Sequence, residues 1–149
     1  MANKMKLLKN NPKTTHRIKM TIFDIDLNIY FIDEVIEYHD GKLLPISVDS
    51  NGCNHNIFIT NYELFNTVDK DIKFFVLCHE IGHIINKGKF KNEEEDEIEA
   101  DKFAHKMLQE HEIVIDRRKV DTLINYFEKV LNVKLNEETK MEHYNRLNV

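Results

Sequence analysis

The segment from Ile72 to Asn86 constrains this chain more than any other. Phe74, Leu77, Cys78, Ile81, Ile84 and Ile85 recur there at helical spacing. Phe75 and Val76 add apolar surface outside that stripe, so the helix should be nearly central in its fold. Thr67 or Asp69 can cap its start and Gly88 can stop it. His79, Glu80 and His83 are its polar exceptions. Burying such groups costs on the order of several kcal/mol unless partners satisfy them.

Residues four apart on a helix project to one side, with Cβ atoms about 5–6 Å apart, so the imidazoles of His79 and His83 can bind one metal ion. That spacing suits zinc. Glu80 follows His79 directly, so its carboxylate can reach an attacking water rather than the metal and serve as general base. A catalytic zinc generally keeps three protein ligands and one open position, so a third ligand is required. The stretch Glu97-Ile98-Glu99-Ala100-Asp101 offers it on a helix one short loop downstream. Glu97 and Asp101 share a face, so one can bind zinc while the other holds a ligand histidine by its second nitrogen. Glu97 is preferred to Glu99 because it begins a stripe with Asp101, Ala104 and the nearby Ala100, whose small side chains permit close helix packing. Glu93, Glu94, Glu95 and Asp96 read as a solvated acidic first turn, capped by Asn92.

The remaining elements are plainer. From Ile18 to Thr60 the chain reads mainly as strands: Leu27–Ile32 and Asn56–Thr60 are rich in β-branched and aromatic residues, and Leu43–Val48 lies between the turn signals Asp40-Gly41 and Asn51-Gly52. A three-stranded antiparallel sheet is the simplest arrangement, with short helical turns around Phe23 or Glu34 as alternatives. After Asp116, Val120, Leu123, Ile124, Phe127 and Leu131 form a helical stripe, and Asn136 can cap a short last helix. The predicted class is α+β: an N-terminal antiparallel sheet, a helix bearing the metal ligands, a glutamate-bearing helix and C-terminal helices, in one domain over residues 1–149.

At 149 residues, 42% apolar and 32% charged, the composition is that of an ordinary globular domain, and no apolar run approaches a membrane span. Met1–Leu8 has no apolar core of signal-peptide length, and Cys53 and Cys78 do not suggest a disulfide framework, so a cytoplasmic location with free thiols is expected. The net charge of -5 conceals a basic start. Lys4, Lys6, Lys9, Lys13, Arg17 and Lys19 all precede the first acid, Asp24. Residues 1–17 are read as a solvated, flexible arm, and direct nucleic-acid binding is not expected. His105 and His111 read as ordinary histidines rather than oxyanion stabilisers, and Tyr62 as a remote candidate for that role. Cys78 points about 100° from His79 and reads as a small core residue.

His79-Glu80-Ile81-Gly82-His83 followed by Glu97-Ile98-Glu99-Ala100-Asp101-Lys102-Phe103-Ala104 resembles the ImmA/IrrE family of bacterial and phage zinc metallopeptidases. That family pairs a His-Glu-x-x-His helix with one bearing Glu-x-x-Ala-Asp/Asn-x-Phe-Ala. The resemblance covers Phe74 to Leu108; the family's Leu-Leu-Met-Pro-like continuation is replaced by Met107-Leu108-Gln109-Glu110. It implies a gluzincin-like zincin fold, zinc held by His79, His83 and Glu97, Glu80 as catalytic base, and Asp101 supporting a ligand from behind. It also implies an intracellular endopeptidase that cuts a helix-turn-helix transcriptional repressor of a phage or mobile element. The competing expectation is a zinc-stabilised antirepressor that keeps the site but acts by association.

Overall fold

A computed structural model describes residues 8–149, and Lys4 and Lys6 of the basic start lie outside them. The chain is α+β and divides into two compact units, one ending at Phe65 and one running from Asn66 to Val149.

The first unit carries strands β1 (Thr14–Ile22), β2 (Ile25–Ile32), β3 (Ile36–Glu37), β4 (Leu43–Leu44), β5 (Ile46–Asn51) and β6 (Asn54–Thr60), then the short helix α1 (Tyr62–Phe65). Its main sheet has the order β1-β2-β6-β5; β3 and β4 form a separate two-stranded ladder. The sheet is mixed, which corrects the three-stranded antiparallel arrangement expected from sequence. β1–β2 and β5–β6 pair antiparallel, but β2 and β6 pair parallel, Ile29 opposite Ile57. The reason lies in the first hairpin. Phe23 and Asp24 both adopt positive φ, 52° and 61°, as a type I′ connection demands, and this folds β1 onto one edge of β2. The free edge then receives β6 after more than a dozen intervening residues, enough for a parallel return. Pro45, which has no N–H to give a ladder, divides the expected Leu43–Val48 strand into β4 and β5. Alternation along β2 and β6 buries Leu27, Ile29, Phe31, Ile57 and Ile59, the apolar face of the sheet.

Part of the basic stretch is ordered rather than a loose arm. Thr14–Arg17 belongs to β1, the Arg17 guanidinium lies over the Tyr30 ring, and the Lys13 backbone exchanges hydrogen bonds with Asp33.

The second unit is helical: α2 (Lys70–Ile85), α3 (Glu93–Glu110), α4 (Arg117–Leu131) and α5 (Glu137–Arg146). Each begins on a side chain that accepts from its own first turn: Asp69 from Asp71 N, Asn92 from Glu95 N, Asp116 from Lys119 N and Asn136 from Thr139 N. α2 is the central helix. Ile72, Phe75, Cys78 and Ile81 are sealed from solvent and Val76 is nearly so, whereas Ile85 is exposed; Phe75 and Val76 thus lie deeper than the sequence stripe placed them. α3 buries a narrow row, Ala100, Ala104, Met107 and Leu108, and α4 buries Val120, Leu123, Ile124 and Tyr126. Among the described residues, no helix is long and apolar enough to cross a membrane.

Candidate metal centre

The centre lies wholly within the second unit, where α2 and α3 cross. They run antiparallel: His79 meets Asp101, while His83, one turn on, meets Asp96. Gly82 makes the crossing possible, since the α3 backbone at Ala100 passes directly over its missing side chain.

His79, His83 and Glu97 come together so that one ligand atom from each lies within 4.8 Å of the other two. The two Nε2 atoms are 3.1 Å apart, and Glu97 sends Oε1 to His79 Nε2 and Oε2 to His83 Nε2, each at 3.1 Å. Glu99 is not part of this group and pairs instead with Lys102 at 3.0 Å.

The opposite nitrogen of each imidazole is also occupied. His79 Nδ1 lies 2.7 Å from Asp101 Oδ1, and His83 Nδ1 lies 3.0 Å from Asp96 Oδ2. An ionised carboxylate can only accept, so both Nδ1 atoms carry protons and donate. Each neutral imidazole then turns an Nε2 lone pair inward, towards the other lone pair and the Glu97 carboxylate. Three acceptors facing one another repel unless a cation stands among them. Bonds of about 2.0–2.1 Å in a tetrahedral set place nitrogens roughly 3.3 Å apart, close to the separation found here, so the donor set fits a bound metal ion.

Without a metal ion, protons on the imidazoles take that place. Glu80, Asp96, Glu97 and Asp101 surround the two imidazoles, against the single guanidinium of Arg146. Burial by itself depresses His79, yet its hydrogen bonds with Asp101 and Glu97 prevail and carry it up to about 9. Burial opposes protonation of His83 too, but Glu97 lifts it above the usual value. The same hydrogen bonds hold the Glu97 carboxyl far below the ordinary carboxylate range. Burial works against ionised Asp101, and His79 together with Arg146 outweighs it, leaving this carboxyl low. Glu80 moves in the opposite direction: it is 8% exposed, and burial raises its pKa despite the pull of both histidines.

Asp96 departs from the sequence reading. It does not belong to the solvated acidic turn with Glu93, Glu94 and Glu95, but turns in to orient His83. The signal available was its spacing, four residues before Ala100 on the packed face. Arg146 was also not singled out from sequence. Its Nε donates to both Asp101 oxygens, at 3.0 and 2.9 Å, from the last turn of α5.

The remaining candidates have structural occupations. His105 Nε2 donates to the Arg146 carbonyl at 2.8 Å, and His111 Nδ1 to the Met107 carbonyl at 2.9 Å. Tyr62 stacks on His16 within the first unit. Cys78 is sealed from solvent, and burial pushes its thiol up to about 12, so it is unreactive at neutral pH.

No protein-family model, curated protein or solved structure matches this chain.

Proposed function

We propose that this chain is a zinc-dependent endopeptidase of the ImmA/IrrE kind, acting in the cytoplasm on a helix-turn-helix repressor of a phage or mobile element. The observation that carries this reading is the convergence of His79 Nε2, His83 Nε2 and the Glu97 carboxylate, with buried Glu80 next in sequence to the first of them. Two imidazoles, one carboxylate and a glutamate outside the ligand set are the parts of a hydrolytic zinc site, and calcium or magnesium would call for oxygen ligands instead. The choice of substrate rests on the paired sequence motifs.

When bound, zinc supplies Lewis acidity to the scissile carbonyl and to the attacking water. The chain's own residues do the rest. Asp101 and Asp96 fix the tautomers of His79 and His83, so that both Nε2 atoms stay available as ligands. Glu80 accepts the proton of the attacking water at its carboxylate and passes it to the leaving amine. Burial raises its pKa, which favours uptake of that proton.

The test is cleavage of a candidate helix-turn-helix repressor, co-expressed with the wild type and with Glu80→Gln. Fragments with the first and none with the second support the peptidase. Repression relieved equally by both, with the partner intact, establishes the antirepressor that acts by association.

A further inference from the structure

The end of α5 is fastened to the metal centre more elaborately than a surface helix requires. Arg146 Nε donates to both oxygens of Asp101, which in turn accepts from His79 Nδ1. Arg146 Nη2 lies 3.4 Å from that same Nδ1. The guanidinium carbon sits 5.5 Å from the centre of the Phe75 ring, on the fully buried side of α2. That ring packs against His105 at an interplanar angle of 62°, and His105 Nε2 donates to the Arg146 backbone carbonyl at 2.8 Å. One residue is thus gripped at both its side chain and its backbone by the two helices that carry the candidate ligands. Leu147, which follows it, is buried, while α5 itself buries none of its residues.

We propose that Arg146 is a positioning residue of the metal centre, and that docking of the C-terminal helix and metal binding are thermodynamically linked through Arg146, Asp101 and His79. The single Nε–H of Arg146, shared between both oxygens of Asp101, favours the orientation in which Oδ1 faces the imidazole. The linkage is reciprocal: if docked α5 tightens the metal, the metal tightens α5 by the same factor. A partner or a cleavage that withdraws α5 would loosen the ligand set without touching a ligand. The inference rests on the metal-binding reading and concerns its regulation.

The experiment uses the full chain and zinc alone as the probe. Zinc affinity is measured by chelator competition for wild type, Arg146→Met, Arg146→Lys and Tyr144→Phe. Amide exchange of α5 is followed with zinc and after chelation. Tyr144→Phe is the control for a structural role, because the Tyr144 hydroxyl anchors α5 to Asp121 on α4 and leaves the ligand histidines alone. Arg146→Met should weaken zinc by about 10-fold to 100-fold, as removal of groups behind a ligand commonly does. Arg146→Lys should restore part of the affinity through its charge. Tyr144→Phe loosens α5 but keeps Arg146 in place, so by the same linkage it should hasten α5 exchange and weaken zinc by less than Arg146→Met does. Chelation should hasten exchange at the end of wild-type α5.

Equal zinc affinity in wild type and Arg146→Met, or α5 exchange indifferent to zinc, overturns this inference alone. A wild type that takes up no zinc overturns the metal reading and this inference with it. If Arg146→Met fails to fold, Arg146→Lys and the wild-type exchange comparison decide the matter.

Discussion

Gly82 and Ala100 approach so closely that a β-carbon on Gly82 would stand 2.9 Å from the Ala100 Cα and 3.2 Å from its carbonyl oxygen. The neighbour is helix backbone, which cannot swing aside. This contact sets the distance between the helix bearing His79 and His83 and the helix bearing Glu97, Asp96 and Asp101.

Gly82→Ala therefore opposes two effects of known size. Alanine improves helix propensity by about 1 kcal/mol, whereas overpacking a well-filled contact costs typically 1–3 kcal/mol. With backbone at 2.9 Å the second effect should prevail: the midpoint of thermal unfolding should fall, and zinc affinity should fall further as Glu97 is pushed off the histidines. A variant more stable than wild type, with its metal affinity intact, would show that the crossing distance is not set here.

Glu97 and Glu99 allow a direct comparison. Glu97 bridges both Nε2 atoms, while Glu99 pairs with Lys102 across a solvent-facing turn. Glu97→Ala should lower zinc affinity by orders of magnitude and Glu99→Ala by less than about threefold, because exposed pairs contribute little. Titration with a chromophoric chelator distinguishes the two, and the reverse order would reassign the third ligand.

Much of this was legible in the sequence, and the reason is locality. Asp69, Asn92, Asp116 and Asn136 cap helices through bonds to N–H groups two or three residues ahead, so short stretches sufficed to place the helix starts. His79, His83, Glu97 and Asp101 followed from helical spacing and one short loop. The sheet was less legible because the parallel pairing of β2 with β6 is non-local, and because Phe23, an unusual residue at positive φ, hides the first hairpin. Asp96 was lost among four consecutive acids, and in such a run composition does not reveal which one turns inward. Arg146 reaches Asp101 across 45 residues of chain, a distance at which no pattern rule operates.

Asp96 supports a prediction of its own. Asp96→Asn keeps the size of the side chain but removes the ionised acceptor from His83 Nδ1. Zinc affinity should drop about 10-fold to 100-fold. Glu95→Gln, one residue earlier in the exposed part of the same turn, should leave it unchanged. Isothermal titration of both variants checks this, and equal affinities would return Asp96 to the solvated face.

Acidity should act differently on the zinc-loaded and the chelator-treated protein. Without zinc, His79 binds its proton more tightly in the fold, at about 9, than at its ordinary 6.5. That contribution to stability is complete below about pH 6.5 and disappears as the pH rises through about 9. Glu80, raised by burial, works in the same direction, while Glu97 and Asp101, held low, stay ionised throughout this window. Zinc requires neutral imidazoles, so its affinity falls roughly tenfold for each pH unit below the His79 value. Denaturant unfolding at several pH values between these limits should show stability declining with pH after chelation and nearly level in excess zinc, where the gain in affinity per pH unit offsets that loss. Parallel slopes would refute the assignment of His79 as a ligand.

Glu80→Gln tests the chemistry itself. The amide nearly matches the carboxylate in shape but cannot take a proton from the attacking water. Because Glu80 is buried among charges that include both histidines, the exchange should leave the zinc stoichiometry at one per chain and should not unfold the protein. Removal of a general base costs on the order of 100-fold to 10,000-fold in turnover. Wild type and Glu80→Gln, each loaded with zinc and co-expressed with a candidate helix-turn-helix repressor, should therefore differ in the appearance of fragments but not in metal content. If Glu80→Gln lost its zinc as well, turnover could not be attributed to the base, and Glu80 would have to be counted among the groups that hold the metal. If it cut the partner as fast as wild type, the general base would have to be sought elsewhere in the chain.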